Sequence, residues 1–150
     1  MNKLILTIGI PGCGKSYWSK NYILDKPDFI RVCPDEIREE LTGDVNNQSR
    51  NKEVWEIARD RINELLNTYN VILDATNVNT KSRNKFLKSI TTPHELHFKV
   101  LPISFIEASE RIRKDIDNHL NRSNVPNEVM VRMYSNYIET MKVLDKTKFI

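Results

Sequence analysis

The chain is 150 residues long, 39% hydrophobic and 29% charged, which is enough to bury one core and describes one globular domain over residues 1–150. With only 4 Gly and 6 Pro, it is not a collagen-like, low-complexity or wholly disordered chain. The formal net charge of +3 is spread unevenly: residues 1–75 carry 10 Lys/Arg against 12 Asp/Glu, and residues 76–150 carry 13 against 8.

Residues 4–8 (LILTI) form a continuous apolar run, the pattern of a strand buried on both faces. A Gly-rich turn leads into a helix over 15–24, closed by Lys26-Pro27-Asp28. A second strand covers 29–33, and Pro34 opens a helix that runs to Leu41 and stops near Gly43. Residues 44–51 are polar and read as a loop. Within 52–68, Val54, Trp55, Ala58, Ile62, Leu65 and Leu66 recur at helical spacing. A short strand, 71–73, ends at Asp74. The next helix, 80–90, is basic: Lys81, Arg83, Lys85 and Lys88 lie in a stretch, 77–93, that has no acid. Such a run is either a solvated face or a patch that attracts polyanions. A fourth strand is predicted at 96–103, irregular at Pro102. It is followed by a charged helix (107–119), a loop (121–126) and a last helix (127–144) with Val131, Tyr134, Tyr137, Ile138 and Met141 on one side. Tyr134, Tyr137 and Met141 serve either the core or an interface, so a homo-oligomer is possible.

The longest apolar run, residues 4–10, contains Thr7 and Gly9 and falls far short of the roughly 20 residues a membrane helix needs. The N-terminus lacks the basic, apolar and cleavage regions of a signal peptide, so a cytoplasmic address is expected. Cys13 and Cys33 are too few for a disulfide scaffold or a zinc site and read as small interior fillers. His94, His97 and His119 show no metal spacing and no partner, which suits structural or surface roles.

Strands alternating with helices predict an α/β fold, a parallel sheet of about four strands covered on both faces. Ligands in such sheets bind beyond the carboxyl ends of the strands. The first three strand ends are residues 9–12, 34–35 and 74–77. At the first, Gly9-Ile10-Pro11-Gly12-Cys13-Gly14-Lys15-Ser16 fits G-x-x-x-x-G-K-S at every fixed position, between a predicted strand and a predicted helix. Glycines let several N–H groups turn toward one anion, and the following helix aims its positive end there. Gly12, Cys13, Gly14, Lys15 and Ser16 are therefore the expected ATP-binding set, with Lys15 on the β- and γ-phosphates and the Ser16 hydroxyl on Mg²⁺. A GTP switch would need N-K-x-D. The nearest strings, starting at Asn51 and Asn84, lack the Asp and fall in predicted helices. The chain is also too short for a large ATPase motor, which leaves a small phosphotransferase.

Such an enzyme needs a base for the acceptor hydroxyl. Asp35 follows the second strand at the start of a helix, and Arg38 lies three residues on, on the same helix face. A carboxylate for the hydroxyl and a guanidinium for a neighbouring phosphate make an acceptor site. The alternative is that Asp35 caps its helix and Arg38 pairs with a nearby acid. Glu36, Glu39 and Glu40 read as the solvated face. Asp74 ends an apolar strand as a Walker-B acid would, either holding Mg²⁺ through water or anchoring the following loop. Thr76 and Asn77 structure that loop and border the site. Arg111, Arg113, Lys114 and Arg122 are candidates for a basic helical lid over the phosphates, of which Arg122 is the strongest.

These residues resemble the kinase domain of phage 5′-polynucleotide kinases, within the small P-loop kinases. The resemblance rests on residues 4–18 with Trp18 after the phosphate loop, on Asp35-Glu36-Ile37-Arg38, on Asp74-Ala75-Thr76-Asn77-Val78-Asn79, and on Val125-Pro126 followed by Arg132-Met133-Tyr134. It implies a P-loop kinase fold with a helical lid, and transfer of the ATP γ-phosphate to the 5′-hydroxyl of DNA or RNA ends. Lys15 and Ser16 would handle ATP and Mg²⁺, Asp35 would be the general base, and Arg38 would bind the acceptor's 3′-phosphate. The family's lid pattern R-N-x-x-R is disturbed here: Lys114-Asp115 stands where Arg-Asn is expected, and Arg122 is displaced by about one helical turn. The D-x-D-G-T of a fused phosphatase has no counterpart, since Asn118-His119 follow Asp117, so kinase activity without 3′-phosphatase activity is expected. Two other readings stay open. One is a kinase of a small metabolite, nucleotide or antibiotic. The other is a nucleic-acid-binding module switched by NTP.

Overall fold

The computed structural model describes residues 1–118 and 125–150. Four strands, β1 (Asn2–Ile8), β2 (Phe29–Val32), β3 (Asn70–Leu73) and β4 (His94–Val100), form one all-parallel sheet in the order β2-β3-β1-β4. The helices are α1 (Lys15–Ile23), α2 (Pro34–Thr42), α3 (Asn51–Leu65), α4 (Thr80–Lys88), α5 (Phe105–Asp117) and α6 (Asn127–Val143). A 3₁₀ turn, Lys146–Lys148, follows. This is the predicted α/β architecture.

Residues alternate across β1, so its side chains serve two cores. Leu4, Leu6 and Ile8 face a large cluster with Val54, Ala58 and Ile62 of α3, Val71 and Leu73 of β3, and Phe98 of β4. Ile5 faces the other way, with Ile72 and Phe29, under Trp18, Tyr22 and Ile23 of α1. A third cluster, Ile10, Ala108, Ile112 and Met130, ties α5 and α6 to the loop after β1.

Several boundaries differ from the sequence pattern, for local reasons. β4 begins at His94 and ends at Val100, not at 96–103, because its partner sets its limits: Asn2 pairs with His94 and Ile8 with Val100. β1 stops there to become the loop, and Leu101 N donates to Ile8 O at 2.9 Å as the last link. Pro102, without an N–H, lies outside the ladder. Helix α5 starts earlier, at Phe105, because Ser104 caps it, its side chain accepting from Glu107 N. On α6 the inward face is Met130, Met133, Tyr137, Thr140 and Met141, whereas Val131 and Ile138 are exposed. In the basic helix α4, Lys81, Lys85 and Lys88 are exposed, but Arg83 is buried. His97 does have a partner, Glu95, with Nε2 3.0 Å from its carboxylate, and His94 Nδ1 lies 2.8 Å from Thr92 O. His119 lies outside the described residues. Among the described residues no helix is long and apolar enough to cross a membrane.

Leu4 is fully buried between β3 and β4. Leu4→Ala removes that packing at a site the sheet cannot collapse into, and should cost about 3 kcal/mol of stability, read as a lower urea midpoint.

Candidate functional site

The three strand ends singled out in the sequence meet at one edge of the sheet. The stitching is done by Thr7, which is buried. Its hydroxyl donates to Ala75 O at 2.7 Å and accepts from Ala75 N at 3.1 Å. Gly9 N donates to Thr76 O at 3.1 Å, and Asn77 Nδ2 donates to Thr7 O at 2.8 Å. Asn77 has φ 52°, a left-handed backbone that Asn tolerates better than most residues. Thr76 and Asn77 thus do structure the loop and bind it to the start of the phosphate loop. Asn79 caps α4 by accepting from Ser82 N at 2.9 Å. Behind the loop, Arg83 donates to Asn77 O at 2.9 Å and to the Thr140 hydroxyl at 3.0 Å. Burial pushes the Arg83 pKa down, since no acid offsets the lost hydration.

The loop itself has the required curl. Gly12 and Gly14 have φ of 86° and 96°, and Gly14 leads directly into α1. A side chain at Gly12 would strike the carbonyl oxygen of Ala108 in α5, 2.5 Å from an ideal Cβ. Lys15 Nζ donates to Ile10 O at 3.2 Å, folded over the loop it would share with a polyphosphate. Cys13 is buried with its pKa raised by desolvation, and Cys33 is pushed to about 11 by burial and the nearby Asp74 charge, so both are protonated fillers, as expected. Of the lid candidates, Arg111 reaches the loop, with Nη1 3.4 Å from Gly12 O. Arg113 and Lys114 are exposed, and Arg122 lies outside the described residues.

At the second strand end, Asp35 sits in the first turn of α2 behind Pro34. Its side chain is 60% exposed, while that of Arg38 is 6% exposed. The two are brought together as an ion pair, Arg38 Nη1 to Asp35 Oδ1 at 2.5 Å. Asn51 holds the other end of the guanidinium, accepting from Nη2 at 2.5 Å. Among the described residues, buried Arg38 Nε has no hydrogen-bond partner. An acid pairing for Arg38 and an acceptor site are thus compatible: a fixed planar donor lies beside an open carboxylate.

Asp74 is 3% exposed and does not face solvent as a free acid. Its Oδ2 accepts from the Ser19 hydroxyl at 2.8 Å and from Arg31, at 2.8 Å from Nε and 2.7 Å from Nη2. Arg31 Nη2 also lies 3.3 Å from Ser16 Oγ, and Nη1 pairs with Glu36. Glu36 is therefore not merely solvated, and Glu40 likewise pairs with Arg61. Neither Arg31 nor Ser19 belongs to a recognised spacing. The one clue in the sequence is a cation inside an otherwise apolar strand.

Does this edge suit a nucleotide and its metal? The curled backbone, the helix start and Lys15 are an anion cradle. Ser16 supplies a hard hydroxyl oxygen of the kind Mg²⁺ takes. Among the described residues no group of three His, Cys, Asp or Glu is placed to hold a metal.

The four-stranded parallel sheet, the flanking helices and the phosphate loop define a nucleotide-binding protein of P-loop kinase type. Residues 4–140 match the AAA domain family AAA_33, and the chain belongs to that family. Its structure is similar to a chain of the Pnkp1/Rnl/Hen1 RNA repair complex at 25% identity and a TM-score of 0.84, covering 96% of this chain and 46% of that one. A second structure of the Pnkp1/Rnl/Hen1 complex matches at 26% identity and 0.68, covering 85% and 42%. The chain therefore spans less than half the length of these relatives. A gluconokinase from Sinorhizobium meliloti 1021 shares the fold at 17% identity and 0.58, covering 99% and 80%.

Gly12→Ala should weaken ATP binding by at least about tenfold in calorimetry, because both backbone and α5 oppose the methyl group. Gly43→Ala is the control. Its φ of 77° is equally unfavourable, but nothing lies within 4 Å of the new methyl, so ATP affinity should not change.

Proposed function

We propose that this protein is an ATP-dependent 5′-hydroxyl polynucleotide kinase, with Mg²⁺ as the metal and DNA or RNA ends as acceptors. The observation that carries the reading is Asp35, an open carboxylate held beside a buried, fixed Arg38, at the sheet edge that also bears the phosphate loop. The link between the two sites is physical: Glu36, next to Asp35, pairs with Arg31, and Arg31 reaches Ser16. In this reading Lys15 and Arg111 bind the ATP phosphates with Gly12, Cys13, Gly14 and Ser16. Mg²⁺ bound at Ser16 would offset phosphate charge. Asp35 takes the proton of the incoming 5′-hydroxyl, and Arg38 orients the acceptor through its 3′-phosphate. Asp74, Thr76 and Asn77 hold the floor of the acceptor side. Similarity to a chain of an RNA repair complex supports a nucleic-acid end as the acceptor. The shared fold of a gluconokinase keeps a small hydroxylated metabolite as the competing substrate.

Incubation with γ-labelled ATP, 5′-OH oligonucleotides and a pool of free nucleosides and sugars decides between them. Label on the oligonucleotide is expected, and label on small acceptors alone would sink the proposal. Asp35→Asn should lower kcat by about 10²-fold or more with little change in ATP affinity. Arg38→Ala should raise KM for acceptors with a 3′-phosphate far more than for a simple alcohol, and equal losses on both would remove its assigned role.

A further inference from the structure

Arg31 occupies ground that no motif assigns to it. In a phosphate-loop site the hydroxyl after the lysine and the acid at the neighbouring strand end flank the place of a divalent cation. Here a guanidinium spans those same two groups, 3.3 Å from Ser16 Oγ and 2.7 Å from Asp74 Oδ2. It is not a loose surface side chain. It is 9% exposed, bonded twice to one carboxylate oxygen, 3.0 Å from the Ser19 hydroxyl and tethered at its far end by Glu36.

We propose that Arg31 is a positioning residue that acts as a resident cation of the metal subsite, making ATP binding at this loop unusually independent of magnesium. Two effects act in the same direction. Arg31 neutralises Asp74, whose buried charge would otherwise repel a polyphosphate lying against Ser16. Its guanidinium, with Nη2 turned toward Ser16, also opposes a divalent ion at the same hydroxyl. The gap in affinity between ATP with and without Mg²⁺ is thereby narrowed. The inference rests on the reading of this loop as an ATP site.

The test is calorimetric titration of ATP into the full chain, once in excess EDTA and once in saturating Mg²⁺. For the natural protein the two affinities should lie within about thirtyfold of each other, and a wider gap overturns the proposal even if no variant folds. Arg31→Gln should widen the gap by at least about tenfold, mainly through lost affinity in EDTA. Arg31→Lys, which keeps the charge, should recover most of that loss. An equal loss in both buffers marks a merely structural residue, and no change in either marks a spectator; both outcomes overturn the proposal. Failure of the natural protein to bind ATP in either buffer overturns the ATP-site reading itself, which separates that failure from the others.

Discussion

The position of β1 between β3 and β4 governs everything at the functional edge. Three parallel strands in fixed register must end together, so the loops after β1 and β3 emerge side by side. Thr7 converts that adjacency into a rigid joint by bonding both backbone groups of Ala75. A one-residue slip would turn Thr7 into the apolar core and Leu6 toward α1, so the alternation that buries β1 also secures the joint. The loop after β2 is brought into line by the pairing of β2 with β3.

Around this joint the structure buries charge, which has to be explained. Asp74 and Arg31 lose much hydration, and such pairs seldom add net stability over apolar residues of equal size. Their arrangement makes more sense as positional control, because the same guanidinium touches Ser16, Ser19 and Glu36. Arg83 is a second case: a buried cation satisfied by a carbonyl and hydroxyls. It holds the Asn77 turn from behind, against α6.

The sequence announced the elements whose signals are local. The apolar runs of β1 and β3, the Pro34 start of α2 and the spacing of the phosphate loop each depend on adjacent residues. Asp35 and Arg38 were legible for the same reason, being one helical turn apart. What escaped depends on distant partners. Arg31 finds Asp74 across 43 positions, and FIRV shows only that a cation sits in an apolar strand, not which acid it meets. Arg83 sits in a run of lysines and is set apart by its bonds to the Asn77 carbonyl and to Thr140, 57 positions away. The limits of β4 come from β1 rather than from its own residues, and the phase of α6 was obscured by apolar residues on two faces. Asp74 was recognised as a strand-end acid, but its occupation by Arg31 was not.

The contact between Gly12 and Ala108 has a mechanical meaning. The phosphate loop rests directly on the backbone of α5, the helix that bears Arg111, with no side chain between them to act as a cushion. Backbone packed on backbone yields little, so a shift in one must be felt by the other. A displacement of α5 toward the loop would therefore press on Gly12 with nothing between to absorb it, and a change in the loop's curl would press on α5 in turn. The clearance between them is the space that a single hydrogen atom on Gly12 leaves.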